Sequence, residues 1–166
     1  MALPQRRAVL DNAVRPTTRR GPSTGQWQCL IIAPNDKHRR ELVDAATEAG
    51  WVTVDCRNPQ EALDCQQRLL FQLALVDLAS RNHVLHHALR DAAATLSQQS
   101  GALLVVCGEG SADEEIWARQ LGAWLYLPGV VEGGELASLF GEARELAARL
   151  SAPQGAAWGG APVWQR

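Results

Sequence analysis

The apolar run Phe71-Gln-Leu-Ala-Leu-Val-Asp77 ends in a carboxylate, and thirty residues later the run Leu103-Leu-Val-Val-Cys107 ends in a thiol. An acid at the end of a buried strand has two uses. It supplies one hard oxygen ligand to a divalent cation, or it accepts hydrogen bonds from the loop that follows. A single carboxylate is a poor anchor for magnesium, which favours an octahedron of oxygens. His83, His86 and His87 lie at i, i+3 and i+4, a spacing that can bring imidazoles to one metal ion. No acid or cysteine accompanies them, so they read as solvated side chains at the start of a surface helix. Cys29, Cys56, Cys65 and Cys107 are spread singly with no C-x-x-C. They predict reduced, mostly buried thiols rather than a zinc ribbon or a disulfide framework. No catalytic residue, metal centre or cofactor is expected.

The elements that position these groups follow from the hydrophobic pattern. From about residue 27 to 150, short apolar runs alternate five times with longer amphipathic ones, which is the signal for βα units around a parallel sheet. Strands are expected at 29–33, 51–55, 73–77, 103–107 and 124–127. The first helix, about 36–49, has Asn35 or Asp36 as its cap and Gly50 as a left-handed stop. Asn58-Pro59-Gln60-Glu61 opens the second helix with a cap, a proline at the first helical position and an acid at the third, and that helix is expected to reach about 70. The third is expected at about 84–98. Ser111-Ala-Asp-Glu114 is a capping box for a fourth that ends near 121. The last, about 132–150, sets Leu136, Leu139, Phe140, Ala143, Leu146, Ala147 and Leu150 along one face. Right-handed crossovers then give an α/β three-layer sandwich, flavodoxin-like, with a five-stranded parallel sheet of order 2-1-3-4-5. A site belongs at the carboxyl ends of the strands, among Ala33, Pro34, Asp77, Cys107 and Gly129. Cys107 beside Asp77 is a poor redox sensor, because a neighbouring carboxylate raises a thiol pKa.

With Asp77 at the end of the third strand, the thirty-residue step to Cys107 and the entry Gly122-Ala-Trp-Leu-Tyr126-Leu127, the chain resembles the CheY-like receiver domain of two-component response regulators. The resemblance spans about residues 27–150. It implies that Asp77 is equivalent to the phosphoacceptor, that Cys107 stands where the family has a Thr or Ser hydroxyl, and that Tyr126 is the switch aromatic. It also implies an acidic pair after the first strand and a Lys-Pro after the fifth. Those positions hold Ala33-Pro34 and Gly129-Val130, so the chain is expected to be a degenerate, pseudo-receiver form. Of its sixteen cationic residues only Lys37 is lysine, so the missing lysine carries less weight than the missing carboxylates.

The ends and the surface complete the expectations. Residues 1–26 carry five arginines against Asp11, a balance of +4 that leaves −6 on the rest of a chain of net charge −2. This stretch reads as a flexible Arg-rich arm, 27–150 as the receiver-like domain, and 151–166 as a flexible Gly/Pro/Trp tail. No run is long and apolar enough to span a bilayer and no secretory leader is evident, which predicts a cytoplasmic protein. Trp117, Trp124 and Leu125, with Trp158 and Trp164 in the tail, are candidates for a partner surface. In the family, the face built from the fourth helix, fifth strand and fifth helix serves dimers and outputs. The reading is a stand-alone degenerate receiver in signal transduction, not an enzyme, contacting a signalling protein or sensor kinase without phosphorylation. Two alternatives are kept. One is an atypical receiver that accepts a phosphoryl group on Asp77; the other, less favoured, is a nucleic-acid-associated protein that uses the arginines of its arm.

Overall fold

The computed structural model describes residues 26–79, 81–129 and 134–152. Five strands and five helices alternate: β1 Gln28–Ile32, α1 Asp36–Glu48, β2 Val52–Cys56, α2 Pro59–Gln66, β3 Leu73–Asp77, α3 His86–Ser97, β4 Leu103–Gly108, α4 Ala112–Leu121, β5 Leu125–Pro128 and α5 Gly134–Ser151. All strand pairs are parallel, in the order β2-β1-β3-β4-β5. Every residue of β3 and β4 is buried, while β2 and β5 at the edges are partly exposed. Helices cover both faces of the centre, so these strands read as continuous apolar runs.

Side chains that alternate along the strands feed two cores. Cys29, Ile31, Leu73, Leu75 and Val105 meet Leu42, Ala46, Phe140 and Ala143 of α1 and α5 on one face. Leu30, Ile32, Ala74, Val76 and Val106 meet Ala62, Leu89, Leu96 and Ala118 of α2, α3 and α4 on the other. Trp51 ties the first layer across the molecule: its indole N–H donates to the Phe140 carbonyl at 2.9 Å.

Most boundaries agree with the expectation to within one or two residues, and three details differ. The second helix stops at Gln66, because the N–H groups of Arg68 and Leu69 both turn back to the Cys65 carbonyl. Leu69 and Leu70 then face solvent while Phe71 enters the core, a path that a helix reaching residue 70 would block. The third helix starts at His86, which is buried and not solvated: its Nδ1 lies 3.2 Å from the Leu78 carbonyl. On the last helix, Leu150 is exposed although it continues the apolar face. The caps expected for the first two helices form as read, with Asn35 accepting from Lys37 and His38, Asn58 accepting from Glu61, and Gly50 in the left-handed region at φ +84°. The arm at 1–26 and the tail at 151–166 fall almost wholly outside the described residues.

Candidate functional site

The carboxyl ends of β1, β3 and β4 open into a pocket of about 460 Å³ bordered by Pro34, His38, Asp77, His83, Glu109 and Gly129. Asp77 is the last residue of β3 and lies beside Cys107 in the strand register. Only 4 % of it is exposed. Its two oxygens are already engaged: Oδ1 accepts from the Ala79 N–H at 3.1 Å, and Oδ2 lies 3.0 Å from His38 Nδ1. The first contact is a local turn in which Ala79 adopts φ +54°, an uncommon conformation for a residue with a Cβ. The second comes from α1, whose first turn is fixed by the Asn35 cap, which accepts from the His38 N–H itself and so sets His38 over the end of β3.

The neighbouring cation is also committed. Arg39, buried to 6 % exposure, donates from Nη1 to the Ala33 carbonyl at 2.9 Å and pairs with Asp36 and with Asp55, the latter at 3.3 Å. The Arg39 guanidinium, by hydrogen bond and charge, holds the Asp36 carboxyl below its ordinary value. Asp36 is thus tied to α1 and the edge of β2. Ala33 is fully buried and its methyl belongs to the α1/α5 core; only Pro34 of that pair borders the pocket.

Cys107 is fully buried in the same layer, and burial first, then the charge of Asp77, drives its thiol well above the ordinary range. Tyr126 lies in the opposite layer. Its hydroxyl donates to Glu114 Oε2 at 3.0 Å and accepts from the Gly110 N–H at 3.0 Å. Glu114, 1 % exposed, also accepts from the Glu109 N–H at 3.0 Å and pairs with Arg81 at 3.4 Å. The capping box is therefore only half formed: Ser111 caps the Glu114 N–H, while the Glu114 side chain turns to β4 and β5. A Cβ at Gly108 would lie 2.6 Å from the Tyr126 hydroxyl, so the glycine leaves room for this cluster.

The residues singled out as a partner surface divide. Trp117 packs on the α2/α3/α4 layer with the Arg90 guanidinium 4.2 Å above its ring, whereas Trp124 and Leu125 pack on the α1/α5 layer. All three are partly buried, and the exposed apolar residue of α4 is Ile116. Trp158 and Trp164, and the arginines of the N-terminal arm, lie outside the described residues. His83 borders the pocket but His86 faces Leu78, so the three histidines do not converge. Among the described residues, no group of three or more His, Cys, Asp and Glu is placed to hold a metal ion.

His38, Arg39 and Glu114 are the site residues that the sequence did not reveal. Glu114 had a visible role as a cap, and the other two sat on a helix with no spacing that marked them.

Magnesium, which the receiver fold implies, fits this donor set badly. Asp77 offers lone pairs already shared with Ala79 and His38, position 33 is a buried methyl and position 34 a proline ring.

No protein-family model matches the sequence, and no curated protein does. Solved structures do. A CheY-like receiver domain protein of Methanospirillum hungatei superposes with a TM-score of 0.63 at 14 % identity, over 76 % of this chain and 97 % of the other. A receiver domain protein of Clostridium thermocellum gives 0.61 at 15 % identity, over 75 % and 98 %. A response regulator of Burkholderia pseudomallei, solved with a phosphorylated aspartic acid, a calcium ion and citrate, gives 0.58 at 25 % identity, over 76 % and 74 %. The chain has the fold of CheY-like response-regulator receiver domains.

Proposed function

We propose that this chain is a degenerate receiver: a signalling module, not an enzyme, that acts through contacts with a signalling protein or sensor kinase and without phosphorylation of Asp77. The observation that carries this reading is the engagement of both Asp77 oxygens by groups of the chain itself. Phosphoryl transfer to a carboxylate depends on positioning and on neutralising the charge of the transferred group. A chain with Ala33 and Pro34 for the acidic pair, and Gly129 for the lysine, lacks those charges. Each loss of about 1.4 kcal/mol of transition-state stabilisation slows transfer tenfold. Cys107 adds to the defect, since a thiol is a weak donor to a phosphoryl oxygen.

The competing reading, phosphorylation of Asp77, has the open pocket in its favour. One experiment decides between them. The purified chain is incubated with Mg²⁺ and acetyl phosphate, and its intact mass is followed. The expected result is an unchanged mass; a phosphoryl adduct that disappears in Asp77→Asn would establish the other reading.

A further inference from the structure

The pocket at the carboxyl ends of the strands holds more polar groups than the defective phosphoryl site alone would use. Asp77 and Glu109 both border it, and among the described residues no lysine or arginine does. The guanidinium groups of Arg39 and Arg81 are committed elsewhere: Arg39 to the Ala33 carbonyl, Asp36 and Asp55, and Arg81 to Glu114 and Ser111. The two acids therefore leave a negative field that neither arginine cancels. Asp77 is buried and faces His38 Nδ1 at 3.0 Å. A carboxylate accepts, so Nδ1 carries the proton and Nε2 is an acceptor on a ring that borders the pocket. Glu109 is exposed, with Oε2 held by the Arg81 N–H at 3.4 Å, which leaves Oε1 as a second acceptor. His83 and Asn35 supply donors. The His83 Nδ1 already accepts from the Leu85 N–H at 3.1 Å, so its other nitrogen bears hydrogen, and the Asn35 oxygen is spent on the α1 cap, which leaves its amide N–H groups.

We propose that this pocket receives an arginine side chain from a protein segment, with Glu109 and His38 accepting from the guanidinium. A metal ion is a poor occupant, because the donors do not gather into a group of three. A guanidinium spreads its N–H donors in a plane, reaches separate acceptors at once and sheds water more readily than an ammonium. The donors of His83 and Asn35 suit the peptide carbonyl that accompanies such a side chain. At about 460 Å³ the pocket is of a size that holds small ligands. Two sources carry this chemistry: another protein, or the arginines at positions 6, 7, 15, 19 and 20 of the chain itself. The inference rests on the proposed function in one respect, that Asp77 stays paired with His38.

The probe is N-acetylarginine methylamide, titrated at low salt into the full chain while backbone amides are followed by NMR. A saturable shift centred on Asn35, His38, His83 and Glu109 is expected, with a dissociation constant on the order of 1 mM. The citrulline analogue keeps the shape and loses the charge, and it should bind about tenfold more weakly. Glu109→Gln, a change at an exposed position, should weaken the arginine probe about fivefold. The same titration on a full chain with glutamine in place of Arg6, Arg7, Arg15, Arg19 and Arg20 separates the sources. If the arm supplies the side chain, this variant binds the probe more tightly than the unaltered chain; if another protein does, the two bind alike. No saturable shift in either chain, or equal binding of the arginine and citrulline probes, would overturn the proposal. The two readings fail separately: a phosphoryl adduct on Asp77 removes the degenerate receiver, whereas a silent titration removes only the arginine site.

Discussion

An imidazole nitrogen 3.0 Å from Asp77 Oδ2 competes for the lone pairs that a bound cation or an incoming phosphoryl group would need. The same contact satisfies a carboxylate that burial would otherwise leave short of partners. Removing it should therefore cost stability without creating a phosphoacceptor. His38→Ala is expected to lower the unfolding free energy by about 1–3 kcal/mol, read from denaturant midpoints, because Asp77 is left buried with one partner. It should remain inert towards acetyl phosphate, since Ala33 and Pro34 are unchanged. Asp77 was legible because an acid breaking an otherwise apolar strand stands out. His38 was not: a histidine two residues into a helix resembles any solvated side chain, and only the turn of α1 over β3 gives it meaning.

At the scale of elements, α4 and β5 are joined through one carboxylate. Glu114 receives the Tyr126 hydroxyl and the Glu109 N–H and faces Arg81, all from a side chain that is 1 % exposed. Glu114→Ala takes the acceptor from the partly buried Tyr126 hydroxyl and from the Glu109 N–H, and the expected cost is about 1–3 kcal/mol. Glu114→Gln, which keeps an acceptor oxygen, should recover part of it; equal loss in both variants would contradict the hydrogen-bond account. The capping box was readable from Ser111 to Glu114, and the helix did begin there. What the pattern could not convey is that a partly buried tyrosine and a neighbouring loop would outbid the cap for the glutamate. In the same way, α2 stops early because Phe71 must reach the core, a demand set by tertiary packing and not by the helix itself.

For the whole molecule, sheet order and layering were the most legible features, because five alternations of apolar and amphipathic segments leave few topologies once crossovers are right-handed. The two buried cores also fix how stability should respond to alkali. Burial raises the Cys29 and Cys107 thiols above their ordinary 9.0, and burial with Glu114 raises the Tyr126 phenol above its ordinary 10.0. Each group therefore holds its proton more tightly folded than unfolded, so the unfolded chain releases protons first as pH rises. Stability should be intact below about pH 9 and fall steadily above it, and Tyr126→Phe should flatten the upper part of that limb. The degenerate-receiver proposal requires that Asp77 bind no divalent cation, since its oxygens already accept from Ala79 and face His38. It is tested most directly by titrating Mg²⁺ while following the backbone amides of His38, Asp77 and Ala79 by NMR. No saturable shift is expected through millimolar Mg²⁺; a saturating change centred on those three amides would show a cation site and overturn the proposal.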